Sequence, residues 1–259
     1  MSDAFCAMSL DLNTLLKDWP HESGAIKVRK IVGLDGREKL QLRIDLGVLQ
    51  MEATGRPDGT RPHGCESLLS YHQQRATRAT QRGETYELSA EECTELQQEG
   101  IQYYHRYLSL FQINEFAGVV RDTQRNLDLF DFVTAHSGRE ELGWSLQQFR
   151  PYVLMMNTRA KASILLAAGK FIEAMREIER GRDAIIEFFQ RSNFPELAGK
   201  SSDAAFLEAW LQEVRATRPL SKLEIMQREM EKAIASELYE RAAELRDAIR
   251  ILETQKSGS

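Results

Sequence analysis

The sequence lacks the features that mark membrane, secreted and disulfide-bonded proteins. Its 259 residues contain no apolar run near the roughly 20 residues that a membrane helix needs. The first residues, which include Asp3, lack the basic and then apolar segments of a secretory signal. Three scattered cysteines, Cys6, Cys65 and Cys93, form no even disulfide framework and suit a reducing compartment. We therefore expect a cytoplasmic protein without a membrane partner.

The short motifs of phosphate-binding and hydrolytic enzymes are also absent. The chain has no Gly-x-x-x-x-Gly-Lys-Ser/Thr string, no Gly-x-Ser-x-Gly and no His-Glu-x-x-His. His63, Cys65, His72 and Cys93 are of metal-ligand type, but no Cys-x-x-Cys pair accompanies them. These absences favour a protein without a metal, a cofactor or a catalytic residue.

The basic residues are too scattered along the chain for a protein whose main function is to bind nucleic acid. The formal net charge is -5, from 34 basic and 39 acidic residues. Residues 1–82 carry 12 basic and 10 acidic residues, residues 83–219 carry 15 and 21, and residues 220–259 carry 7 and 8. Binding to phosphates needs a concentrated basic surface. Direct DNA binding is therefore a minor alternative, and only the first segment is a candidate for it.

The first segment, residues 1–82, has the period of a small sheet. After a turn at residues 33–36, Leu40, Leu42 and Ile44 alternate with polar residues, which predicts a β-hairpin with one apolar face. The apolar pattern continues to Met51. A polar, basic stretch from Gln73 to Gly83 predicts a linker or exposed helix end, so we place a domain boundary at residues 82–83.

A loop rich in turn formers follows this hairpin. Residues 55–64 contain three glycines and two prolines around Arg56, Arg61 and His63. Guanidinium groups favour planar oxyanions, so one interpretation is a rigid loop that presents Arg56, Arg61 and His63 to an anion or a ligand. The other is a structural connection whose arginines pair with nearby acids.

Residues 83–219 predict stacked antiparallel helical hairpins. Ser89 with Glu92 three residues later is a capping-box start. The stretches that begin at Asn114 and Gly169 align at an offset of 55 residues, which indicates an internal repeat. The second hairpin, with small Gly181 at the expected helix crossing, resembles a tetratricopeptide repeat, although that family repeats every 34 residues. The predicted fold class is therefore mainly α, with a small β region.

Residues 220–259 predict a compact helical hairpin. Two apolar stripes step by three or four residues, as one face of a helix does. The short segment 235–237 between them leaves room for a tight reversal. The stripes consist of Leu223, Met226, Met230 and Ala233, and of Leu238, Ala242, Leu245, Ile249 and Leu252.

This segment resembles the UVR motif, which is named for the UvrB and UvrC subunits of bacterial nucleotide excision repair. The residues that carry the resemblance are Glu229, Met230, Ala233, Tyr239, Glu240, Ala242, Ala243, Leu245, Arg246, Asp247, Ile249, Leu252 and Glu253. Hairpins of that family associate with another UVR hairpin, and similar copies occur in Clp-type ATPases and in adaptors of protein-arginine kinases. Tyr239 stands where the family usually has Phe. The resemblance implies a protein-binding face with polar Arg246 and Asp247 beside it, formed by Met230, Ala233, Tyr239, Ala242, Leu245, Ile249 and Leu252.

The sequence is compatible with three functions. We expect a non-enzymatic adaptor or accessory protein whose partner is another UVR protein or a second copy of this chain, with nucleotide excision repair as one setting. An adaptor of a Clp-type protease or of a protein kinase is the second. An unrecognised enzyme or ligand-binding protein that uses the loop from Arg56 to His63 is the third. A hairpin that packs only on its own chain is the alternative to all partner binding.

Overall fold

The fold is mainly helical, with a small antiparallel sheet near the start of the chain. The computed structural model describes residues 12–192, 194–220 and 222–257, and the side chains of residues 222 and 252–257 lie outside that description. The strands are β1 Lys27–Val32, β2 Glu38–Ile44 and β3 Gly47–Glu52. The helices are α1 Leu12–Leu16, α2 Leu68–Gln81, α3 Ala90–Gln112, α4 Phe116–His136, α5 Glu140–Gln147, α6 Arg150–Ala167, α7 Phe171–Arg191, α8 Ser202–Thr217, α9 Lys222–Ala235 and α10 Tyr239–Ser257.

The sheet confirms the predicted hairpin and extends it by one strand. Strand β2 lies in the centre and pairs antiparallel with both neighbours, with Val28 opposite Leu42 and Leu40 opposite Met51. The alternation places Leu40, Leu42 and Met51 in buried positions. The sheet lies against α3, which supplies the support that a three-stranded sheet needs.

Helices α3 with α4, and α6 with α7, form two hairpins, and α4 also packs on α6. Ser89 and Glu92 form the predicted capping box at the start of α3. The two turns correspond in the repeat: Asn114 and Gly169, which are 55 residues apart, both adopt the left-handed conformation, with φ of 61° and 73°. The internal repeat is therefore visible in the backbone. The tetratricopeptide likeness stays a prediction.

Close approach of α6 and α7 depends on Gly181. A Cβ atom added at this position would lie 2.7 Å from Thr158 Cβ on the facing helix. Real carbon atoms do not pack that closely, so the absence of a side chain sets the spacing of the pair. The small residue predicted at this crossing has the expected role.

The chain divides into two compact units, one that ends at Leu211 and one that starts at Gln212. The boundary predicted at residues 82–83 lies inside the first unit. There α2 continues to Gln81, through most of the polar stretch that predicted a linker or helix end. The second unit contains α9 and α10. Within the described residues, no helix combines the length and apolar character needed to span a membrane.

Candidate functional site

The C-terminal hairpin is closed by a tight, hydrogen-bonded turn. Helix α9 ends at Ala235 and α10 starts at Tyr239. The amide of Leu238 donates to the carbonyl of Ala233 at 2.8 Å, and Glu237 adopts a left-handed conformation with φ of 58°. This conformation reverses the chain in three residues and lets α9 and α10 pack together.

The residues assigned to protein binding fall into two groups in the structure. Ala233, Ala242, Leu245 and Ile249 are buried, at 5 to 8% exposure, and Met230 is half-buried. They occupy one face of each helix, as the spacing predicted. A buried side chain stabilises the unit in which it lies and is not available to a partner while that unit stays folded.

The second group is exposed at the turn. Tyr239, the residue at the position of the family's Phe, is 67% exposed. Leu238 is 58% exposed and Ile234 is 50% exposed. We call Ile234, Leu238 and Tyr239 the hairpin tip. Three large apolar side chains are thus exposed within six residues of the sequence. Exposed apolar patches are a common feature of protein contact sites.

The polar pair predicted beside this face is exposed. Arg246 donates through Nε and Nη2 to Asp247 Oδ1, at 3.2 and 3.1 Å. An exposed pair of this kind contributes little stability, so both groups remain free to exchange partners. The side chain of Leu252 lies outside the described residues.

The loop of residues 55–64 separates the three residues predicted to bind an anion. Arg56 points inward: its Nε lies 3.3 Å from Glu99 Oε2 and its Nη1 donates to Thr60 Oγ1 at 2.7 Å. Arg61 and His63 are exposed, and the His63 ring stacks on Tyr71 at 4.0 Å. This placement matches the structural interpretation of Arg56, while the anion-binding role of the three residues stays a prediction.

A buried network of charged groups connects this loop to the helices. Arg106 donates to Asp122 through two hydrogen bonds, Nε to Oδ2 at 2.7 Å and Nη2 to Oδ1 at 2.8 Å. The remaining Nη1 of Arg106 donates to the carbonyls of Glu52 and Gly55, at 3.1 and 2.7 Å. Arg106 and Asp122 are almost fully buried, at 1 and 0% side-chain exposure. The pair therefore ties β3 and the loop to α3 and α4.

Glu99 is the second buried acid of this network. Its carboxylate accepts hydrogen bonds from the amides of Leu68 and Leu69 at the start of α2, at 2.6 and 3.3 Å. Negative charge is favourable at a helix N-terminus. Arg125 contacts the same carboxylate from α4. The sequence interpretation missed this cluster, although Glu99 and Arg106 are charged residues seven positions apart next to the apolar stripe of α3.

Two clefts lie on the surface of the first unit, next to these helices. The larger is an apolar cleft of about 480 Å³ bounded by α3, α4, α5 and α6, with Ile101, Tyr104 and Phe149 at its surface. The smaller, of about 220 Å³, lies among the charged residues of α3 and α4. In the part of the chain that the structure describes, no three His, Cys, Asp or Glu side chains group closely enough to hold a metal ion.

Comparison with protein-family models identifies residues 221–255 as a UVR motif, described as the UvrB/uvrC motif. The match covers α9 and all but the last two residues of α10, and it confirms the resemblance found at the C-terminus. Searches of the curated proteins and of the solved structures found no match. The hairpin is therefore a UVR motif, while the match leaves residues 1–220 without an assigned family.

Proposed function

We propose that this protein is a non-enzymatic adaptor that binds other proteins through the tip of its UVR hairpin. The observation that carries the proposal is the exposure of Ile234, Leu238 and Tyr239 at the turn of a hairpin whose family mediates protein contacts. The partner would carry a similar hairpin or be a second copy of this chain. Nucleotide excision repair is one setting for such a partner, and a Clp-type protease or a protein kinase is another.

The tip provides enough apolar surface for a contact of modest strength. Complete burial of one large apolar side chain contributes about 1.5 to 3 kcal/mol, and these three are already one third to one half buried. The tip would therefore contribute roughly 2 to 5 kcal/mol on its own side of the interface. Association costs at least about 4 kcal/mol, so a stable complex needs a matching apolar tip on the partner.

Charge supports a protein partner over DNA. The last 40 residues carry 7 basic and 8 acidic residues, so the segment that includes the hairpin has no excess of positive charge. Without such an excess, release of counterions from DNA cannot drive binding. Apolar contact remains as the principal source of affinity.

The test is capture of partners by the full chain and by two matched variants. The tip variant combines Leu238→Ser and Tyr239→Ser. The control is Ile225→Ser, which removes a side chain that is 45% exposed on the same hairpin but lies outside the tip. We expect the full chain and the control to retain a protein that carries a UVR-type hairpin, and the tip variant to lose it.

Self-association is measured in parallel by sedimentation of the purified chains. A dimer that dissociates in the tip variant alone identifies a second copy as the partner. Equal capture and equal sedimentation of all three chains, with unchanged helical circular dichroism, would overturn the proposal.

A further inference from the structure

The smaller cleft lies where the start of α2 meets facing sides of α3 and α4. Its volume is about 220 Å³, which suits a small ligand or one end of a larger one. Its lining includes Gly55, Tyr103, Arg106, Arg121, Arg125 and Asp128. Three guanidinium groups thus face one small opening in a protein of negative net charge.

The oxygen atoms of the two buried carboxylates, Asp122 and Glu99, already have partners within the protein. Asp122 accepts both hydrogen bonds from Arg106 and a further one from Arg121 Nε, at 2.8 Å. Glu99 accepts from two backbone amides and pairs with Arg56 and Arg125. Four arginines therefore share two buried acids, so the two buried acids alone do not neutralise these arginines.

Arg125 is the group that this balance leaves short of acceptors. Its side chain is only 14% exposed. Its Nη1 donates to Asn126 Oδ1 at 3.1 Å, but among the described residues its Nε atom has no hydrogen-bond acceptor. Its guanidinium lies 4.1 Å from the centre of the Tyr103 ring. Burial, and then the positive charge of Arg56, lower the pKa of Arg125 to about 9. A buried donor without an acceptor costs free energy, which an incoming anion would recover.

We propose that this cleft binds a small ligand through a carboxylate or phosphate group, with Arg125 and Arg121 as the charged donors. Arg121 is 44% exposed and donates to Asp122 and to the carbonyl of Ala53, so it sits at the mouth and can turn toward an anion. Guanidinium groups suit both oxyanions because their parallel N–H groups match two oxygens.

Two acidic residues restrict which anions can enter the cleft. Glu66 and Asp128 also line the cleft, and both are exposed. Their charges repel an extended polyanion but leave room for one oxyanion group, since Arg125 lies deeper than either. The site is therefore expected to take a free small molecule in preference to a nucleic acid.

The test titrates the full chain with sodium phosphate, and separately with sodium acetate, against sodium chloride at equal ionic strength. We expect saturable binding of phosphate or acetate by calorimetry, with a matching rise in the melting temperature, and the better of the two anions names the ligand class. Arg125→Met should weaken that binding about tenfold or more, because it removes charge-assisted hydrogen bonds. Arg176→Gln, an exposed arginine on α7, should bind like the native chain.

Arg121→Gln keeps the test decisive if the buried substitution prevents folding. Arg121 is half-exposed, so its replacement should leave the fold intact and weaken binding at least about threefold. The proposal is overturned if chloride gives the same shifts as phosphate and acetate, or if the folded Arg121→Gln chain binds as tightly as the native chain. Tighter binding of a single-stranded oligonucleotide than of either anion would overturn the small-ligand assignment.

Discussion

Substitution of Gly181 by Ala tests how closely α6 and α7 approach. Alanine favours a helix over glycine by about 1 kcal/mol, so the change would stabilise an open helical position. At Gly181 the new Cβ atom would lie 2.7 Å from Thr158 Cβ. Rotation of the Thr158 side chain does not move its Cβ atom, so the two helices must separate by several tenths of an ångström.

Two opposing free energies determine whether Gly181→Ala stabilises or destabilises the protein. Overpacking in a close-packed interior costs about 1 to 3 kcal/mol. After the gain of about 1 kcal/mol in helix propensity, we expect Gly181→Ala to lower the unfolding free energy by roughly 0 to 2 kcal/mol. Replacement of Thr158 by Ala as well removes the Oγ1 and Cγ2 atoms nearest to the new methyl group. The double variant should therefore lose less stability than the two single changes together.

Tryptophan fluorescence in urea measures this change in the first unit alone. The chain has three tryptophans, Trp19, Trp144 and Trp210, and all three precede Gln212. The unfolding of the C-terminal hairpin therefore does not enter the signal directly. A Gly181→Ala chain that is more stable than the native one by about 1 kcal/mol would refute the close approach, because it would show an unobstructed helical position.

Three further predictions follow from buried or exposed side chains. Asp122→Asn should lower the stability of the first unit by about 3 to 5 kcal/mol in the same urea assay, since it leaves the buried Arg106 charge without its partner. Burial lowers the pKa of His72 and of His105 below the ordinary value of 6.5, so the unfolded chain takes up protons that the folded chain does not as the pH falls below about 6.5. The unfolding free energy in urea should therefore fall as the pH is lowered from about 7.5 to 5.5. His105→Gln should make this dependence on pH weaker. An unchanged dependence on pH in His105→Gln would exclude His105 as a cause. Tyr239→Phe should change the unfolding free energy of the hairpin, followed by helical circular dichroism, by no more than about 0.5 kcal/mol, because the ring is largely exposed. The same variant should still capture the partner.

The sequence predicted those parts of the fold that depend on local pattern. Alternation at Leu40 and Leu42 identified the sheet, and the Ser89 and Glu92 spacing identified the start of α3. Both signals are confined to a few neighbouring residues, so no tertiary information is needed to read them. The 55-residue offset likewise located the two turns, where Asn114 and Gly169 reverse the chain.

The charged cluster could not be predicted because its partners are far apart in the sequence. Arg106 pairs with Asp122 and also with carbonyls more than 50 residues away. On a sequence, Glu99 and Arg106 look like ordinary surface charges on a long helix. Their burial becomes apparent only when the sheet, α2 and α4 enclose α3. The loop arginine Arg56 was selected for its turn-rich neighbourhood, whereas the arginines that line the cleft, Arg106, Arg121 and Arg125, lie on α3 and α4.

The same limit explains why the residues carried over from the UVR family separate into two roles. A stripe of apolar residues does not tell whether a side chain packs inside a hairpin or projects from its end. Leu245 and Leu238 share one stripe in the sequence, yet Leu245 is 5% exposed and Leu238 is 58% exposed. The difference arises because α10 begins only at Tyr239, so Leu238 belongs to the turn. The proposed binding therefore depends on the tip, while the buried positions stabilise the hairpin that presents it.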